Sequence, residues 1–128
     1  MTDWTKRNLH EVEDAAVKFG HAPDLSARFA HGDLGLEGLG LSLQRLAPGK
    51  RQPFGHRHRE HEEVYVILAG SGQMLVGDET VDVAALDAIR VAPETLRAFE
   101  AGDEGLEWLV FGPHGAGDAE IVPDPFGT

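Results

Sequence analysis

Apolar and polar residues alternate with a period of two in short runs along most of the chain, and glycine or proline closes each run. Gly40-Leu41-Ser42-Leu43-Gln44-Arg45-Leu46 alternates in this way and stops at Pro48-Gly49, which predicts a strand. Val64-Tyr65-Val66-Ile67-Leu68 is β-branched and aromatic, predicts a second strand, and stops at Gly70-Ser71-Gly72. Gln73 to Val76 and Thr80 to Val83 flank Gly77-Asp78-Glu79, the pattern of a hairpin. Ala88 to Val91, ended by Pro93, is a further strand, and Leu96 to Phe99 and Leu106 to Phe111 give two more. Over residues 1–35 the pattern is ambiguous. Val12, Ala15, Ala16 and Phe19 suit a short helix, and extended structure closed by Gly20 is equally allowed. The tail from Gly112 is rich in Gly, Pro and Asp and predicts a loop that wraps the body or frays.

Strands at this regular spacing, joined by tight turns and with no βαβ alternation, predict an all-β, antiparallel barrel or sandwich. No internal repeat or linker interrupts it. The organisation expected is one domain: a barrel over 36–112, an N-terminal extension over 1–35 packing on it, and a tail over 113–128.

Composition narrows the function classes. A chain of 128 residues, 41% hydrophobic, is one domain and too apolar to be disordered. It has no cysteine, which excludes a disulfide scaffold, a zinc ribbon and a thiol nucleophile. With 22 acidic against 11 basic side chains it lacks the cationic footprint of a nucleic-acid binder. No apolar run approaches the roughly 20 residues of a membrane span. Met1 to Lys6 has no signal-peptide pattern, so a cytoplasmic protein is expected. The acid is unevenly placed: residues 64–128 hold twelve Asp and Glu against only Arg90 and Arg97. That excess is a solvated surface, and it makes the two arginines conspicuous.

Three of the seven histidines fall in His56-Arg57-His58-Arg59-Glu60-His61, followed by Glu62 and Glu63. In a strand, residues i and i+2 share a face, so His56 and His58 can aim at one point. If residues 59–62 turn between two neighbouring strands, Glu63 returns beside them, on the side of Tyr65 and Ile67. Two imidazoles and a carboxylate make a facial-triad ligand set, suited to Fe and tolerated by Mn, Ni, Co or Zn. A solvated polar turn is the competing reading of the same residues.

From Gly49 to Gly72 the chain resembles the first motif of the cupin superfamily. That motif has two histidines one residue apart, then four residues, a glutamate, six residues and a glycine. His56, His58, Glu63 and Gly70 match these positions, while the leading motif glycine falls at Lys50, one residue after Gly49. The resemblance extends from about Leu41 to Phe111. It implies a small β-barrel of the jelly-roll, double-stranded β-helix type, a pocket at its mouth, a metal on His56, His58 and Glu63, and a homodimer. The second cupin motif has drifted. Leu86 stands for its first glycine, Ala92 for its proline, Glu94 for its second glycine, Arg97 for its histidine and Ala101 for its asparagine.

An arginine cannot ligate a metal, because it stays protonated and offers donors only. Three outcomes follow. His56, His58 and Glu63 still hold a metal, with Arg97 pointing aside or holding an anionic ligand. Or His61 or Glu62 substitutes as a ligand. Or the metal is lost and Arg97 pairs with Glu63. The first is favoured. Alternation places Arg97 with Phe99, which points it inward. Tyr65 is a second candidate to act in the barrel, donating a phenolic hydrogen bond, although an aromatic there also suits the core. Trp108 and Phe111 are expected to pack, and His10, His21, His31 and His114 to lie on the surface or in loops.

The function expected is therefore binding of a small molecule, anionic where Arg97 receives it, in a cupin pocket with a divalent-metal site. The chemistry would be that of an oxygenase, isomerase or decarboxylase. The alternative is a non-catalytic binder with a degenerate, metal-free pocket.

Overall fold

A computed structural model describes residues 3–115 and 118–127. Eight strands form one curled antiparallel sheet: β1 Leu25–Phe29, β2 Leu39–Leu46, β3 Phe54–His58, β4 Glu63–Val76, β5 Glu79–Ala84, β6 Ala88–Val91, β7 Arg97–Pro113 and β8 Ala119–Pro123. The only helical elements among the described residues are a 3₁₀ turn, Leu9–Glu11, and the single-turn α1, His31–Leu34. None is long or apolar enough to cross a membrane. The strands run β1-β2-β7-β3-β8 along the sheet, and β4 pairs with β5, β6 and β7 to curl it into a barrel.

The glycines that seemed to end strands instead bend them. The expected strands at 64–68 and 73–76 are one continuous β4, and those at 96–99 and 106–111 are one continuous β7. The two long strands pair with each other through register shifts between Ile67 and Ala69 and between Gly70 and Gly72. A side chain at Gly70 would strike the backbone carbonyl of Gly105, and one at Gly72 that of Glu100. Gly70 also has φ of 79°, the left-handed region. The pair can therefore cross closely and turn a corner without breaking the ladder.

Both flanks differ from their expectations. Residues 12–19 form neither a helix nor a plain extended segment. A run of turns over 15–20 follows a bridge between Asp14 and Arg28, with Val12 and Ala16 buried, and leads into β1. Asp14 Oδ1 accepts from the amides of Ala16 and Ala27, a local alternative that outcompetes helix formation. The tail is not simply a loop: β8 pairs with β3 from Phe54↔Pro123 to His58↔Ala119.

The core fills the barrel. Tyr65, Ile67 and Met74 of β4 meet Phe99, Leu106, Trp108 and Val110 of β7, with Leu25, Leu46, Val83 and Val91 around them. Phe99 sits between two aromatic partners, 4.2 Å from the Trp108 ring and 5.5 Å from Tyr65. Full burial of side chains of this size contributes about 1.5–3 kcal/mol each. Trp108 packs as expected, whereas Phe111 is partly exposed at the barrel mouth.

Candidate functional site

His56 and His58 lie on the same face of β3, two residues apart, with rings 5.1 Å apart and perpendicular. Glu63 opens β4. The two strands are not hydrogen-bonded neighbours, contrary to the expected arrangement. β3 lies between β7 and β8, while β4 pairs with β5, β6 and β7. Glu63 thus meets the histidines across the curled sheet. Its Oε1 lies 3.2 Å from His56 Nε2 and 3.2 Å from His58 Nε2.

The Tyr65 hydroxyl, two residues along β4, donates to Glu63 Oε1 at 2.8 Å and lies 3.4 Å from His56 Nε2. Tyr65 therefore does both things open to it, packing its ring in the core and delivering its hydroxyl to the site. Burial pushes the Glu63 carboxyl up. The hydrogen bonds from His56 and Tyr65, with the charges of His56 and His58, outweigh that and pull it down to about 2. Burial and the neighbouring Glu63 charge push the Tyr65 phenol well up, so it remains a donor.

Arg97 is turned inward and is 1% exposed. Its register partner across the sheet is His56, and opposite residues of an antiparallel pair share a face. The guanidinium bonds mainly to the preceding connection. Nη1 donates to the carbonyls of Pro93 and Thr95 at 3.1 and 2.9 Å, and Nη2 to that of Ala92 at 3.4 Å. Glu63 Oε1 lies 3.8 Å from Nη2, a long ion pair rather than the close one that the metal-free alternative would favour.

Neither proposed substitute ligand joins the His56–His58–Glu63 group. Glu62 is on the outer surface, 59% exposed, with its carboxylate 3.7 Å from Arg90. His61 joins a different group: its Nδ1 lies 3.2 Å from Asp118 Oδ2, and the same oxygen lies 3.2 Å from His58 Nδ1. Asp118 was not anticipated. It follows a glycine-rich stretch with no ligand spacing, and only the β3–β8 register brings it here. The β-branched pair Ile121-Val122 was the one available signal. Sequence reasoning also missed a pair of stacked imidazoles, His31 and His114, whose centroids lie 3.7 Å apart.

A hollow of about 240 Å³ opens onto His58 and Glu63, walled by Phe29, Leu41, Val110, Phe111 and the stacked His31 and His114. Another, of about 280 Å³, lies against His10, Asp14, Arg28 and Glu107 and touches none of these site residues. Volume alone does not choose between them; the convergence of buried polar groups selects the first.

The cupin domain profile matches residues 42–112, more than half of the chain. The chain belongs to the cupin family. Its fold is similar to that of a cupin protein from Bacteroides fragilis, at 26% identity and a TM-score of 0.70, over 91% of this chain and 88% of that one. A polyketide cyclase from Streptomyces resistomycificus is similar at 20% identity and a TM-score of 0.75, over 94% and 84% of the two chains. A cupin-2 domain protein from Rhodospirillum rubrum is similar at 24% identity and a TM-score of 0.66, over 80% and 68%. No curated protein sequence matches this cupin significantly.

Proposed function

We propose that this cupin binds a small molecule in the hollow that opens onto His58 and Glu63, and that these two residues and His56 hold a divalent metal ion that acts on it. One observation carries the reading. Two imidazole nitrogens each sit 3.2 Å from one carboxylate oxygen, yet His58 Nε2 is buried without a hydrogen-bond partner. With metal–ligand bonds near 2.0–2.2 Å, neighbouring ligand atoms lie about 2.9 Å apart at right angles and about 3.4 Å apart at the tetrahedral angle. The separations here fall in that window. The donors are nitrogen and oxygen only, which suits Fe, Mn, Co, Ni or Zn.

Such an ion supplies a Lewis acid for a bound oxygen or carbonyl group. The protein's own residues set the rest. Tyr65 holds Glu63 in place through its hydroxyl, and Arg97 keeps a permanent positive charge beside the carboxylate. Phe29, Leu41 and Phe111 keep the approach apolar. Isomerisation, decarboxylation and oxygenation all fit this arrangement, and the solved structures of similar fold, a polyketide cyclase among them, support a small organic substrate.

Metal analysis of tag-free protein, refolded or reconstituted with Fe, Mn, Co, Ni and Zn in turn, tests the reading. Near-stoichiometric uptake that His56→Ala weakens more than about a hundredfold is the expected result. Uptake below about a tenth of an ion per chain, or affinity unchanged in His56→Ala, would overturn it.

A metal-free binding role is the second reading. Its support is that His56 and Tyr65 already satisfy Glu63 Oε1 without an ion. An anionic ligand that raises the melting temperature of chelator-treated wild type, and not of Arg97→Met, would favour it. A cytoplasmic homodimer is part of the same proposal, and a monomer mass by light scattering refutes the dimer.

A further inference from the structure

We propose that His58, His61 and Asp118 form a second divalent-cation site, lying outside the first and sharing His58 with it. Each residue offers one ligand atom, and the three atoms lie within 4.8 Å of one another. Asp118 Oδ2 is 3.2 Å from both His58 Nδ1 and His61 Nδ1. These contacts are not hydrogen bonds. Asp118 Oδ2 and His58 Nδ1 are buried and have no hydrogen-bond partner among the described residues, and the Asp118 side chain is only 10% exposed. A buried carboxylate oxygen between two imidazole nitrogens, at metal-ligand separations and without N–H groups aimed at it, is the arrangement of ligands around a cation.

The rest of Asp118 is fixed for that task. Its Oδ1 accepts from the amides of Arg59 and Glu60 at 3.0 and 3.1 Å, which leaves Oδ2 free and aimed at the rings. β8 delivers it, because His58 pairs with Ala119, its chain neighbour. The His61 ring is held by Gly115, where a Cβ would meet Cε1 at 2.5 Å.

The site is reached from two sides. Asp118 and His58 line a surface hollow of about 310 Å³ with Arg57, Arg59, Glu94 and Glu120, while His61 lines the hollow above Glu63. Of these, Arg57 is engaged by Glu120 at 2.9 Å and does not oppose a cation fully. His58 borders both hollows. A neutral imidazole has one lone pair, so His58 serves the inner ion through Nε2 or the outer ion through Nδ1, one at a time. The two sites therefore compete. The proposal does not require the inner site to be filled.

Zinc titration with a competing chelator separates the two. His56→Ala/Glu63→Gln removes the inner site only and should still bind one Zn²⁺ per chain. Adding Asp118→Asn or His61→Ala to that background should weaken binding on the order of a hundredfold. Asp118→Asn or His61→Ala in the wild-type background should leave one Zn²⁺ bound at the inner site. The wild type should bind one Zn²⁺ tightly, not two. The outer site is refuted if the inner-site variant binds no Zn²⁺, or if its binding ignores both Asp118→Asn and His61→Ala. Two tight ions on wild type would overturn the competition. Loss of all binding in the wild-type Asp118→Asn and His61→Ala variants would count against the inner site instead, so the two readings fail differently. Melting curves check folding, and Glu63→Gln alone, being isosteric, replaces the double variant if that does not fold.

Discussion

The two halves of the cupin signature have parted ways in this chain. Residues 54–70 retain the motif's side chains: His56, His58 and Glu63 converge, each imidazole 3.2 Å from the carboxylate. Residues 86–101 have lost theirs but keep the backbone. Leu86 stands where the motif has glycine and still adopts φ of 75°, and Arg97 stands where it has histidine and still faces His56. The contrast teaches that main-chain shape and side-chain chemistry are separable demands. The first is enforced by the ladder that β6 and β7 make with β4; the second depends on single side chains that can be exchanged.

The strongest way to test that contrast is Arg97. Arg97→Ala removes a buried cation, takes a donor from the carbonyls of Ala92, Pro93 and Thr95, of which the first two keep a backbone amide, and opens a cavity. It should destabilise the fold by about 3–5 kcal/mol in denaturant titration. A loss under about 1 kcal/mol would mean the guanidinium is not structural. Arg97→His asks the converse question by returning an imidazole opposite His56, and should tighten metal binding on the order of tenfold by chelator competition.

Acid sharpens the other half. The Glu63 carboxyl titrates near 2 in the folded protein against an ordinary 4.5, so between these values the unfolded chain binds more protons. Its contribution is full above about pH 4.5 and is lost as pH falls toward 2, roughly 2–3 kcal/mol in metal-free protein. Denaturant titrations of wild type and Glu63→Gln should therefore converge by that amount across this window; parallel curves would mean that Glu63 is not held by its neighbours.

The smallest effect concerns shape. Leu86 is 84% exposed and strained by about 1–2 kcal/mol in the left-handed region. Leu86→Gly relieves that strain and adds about 0.5–1 kcal/mol of unfolded-chain entropy. The net should be a stabilisation below about 1 kcal/mol, seen as a slightly raised melting temperature. A lowered one would show that the left-handed turn is not needed there.

Legibility in the sequence followed the distance over which each feature is built. Gly40 to Leu46 alternates cleanly, Ala88 to Val91 is closed by Pro93, and both are strands within a residue of where the pattern puts them. His56, His58 and Glu63 were visible because eight consecutive residues carry all three. Gly70 and Gly72 misled, since whether a glycine ends a strand or bends it depends on what crosses it, here β7. β1 was hidden because Leu25 and Ala27 give only one repeat of buried alternation before the exposed Phe29. Asp118 and the His31–His114 stack were beyond reach, as each is made by pairing between strands distant in sequence. The local crowding that made His61 and Glu62 plausible substitutes says nothing of direction: one faces Asp118, the other Arg90.

The guanidinium of Arg97 also bears on which molecules the barrel admits. With no ion present, its charge and that of Glu63 offset each other, and any pull on an anion rests on Arg97 alone. A divalent ion on the same residues leaves two positive charges in excess, and the interior then draws anions. Arg97 cannot shed its proton, so its share of this balance is fixed. On the proposed metal reading, loading the ion would strengthen the hold on acidic molecules without any change in the protein itself.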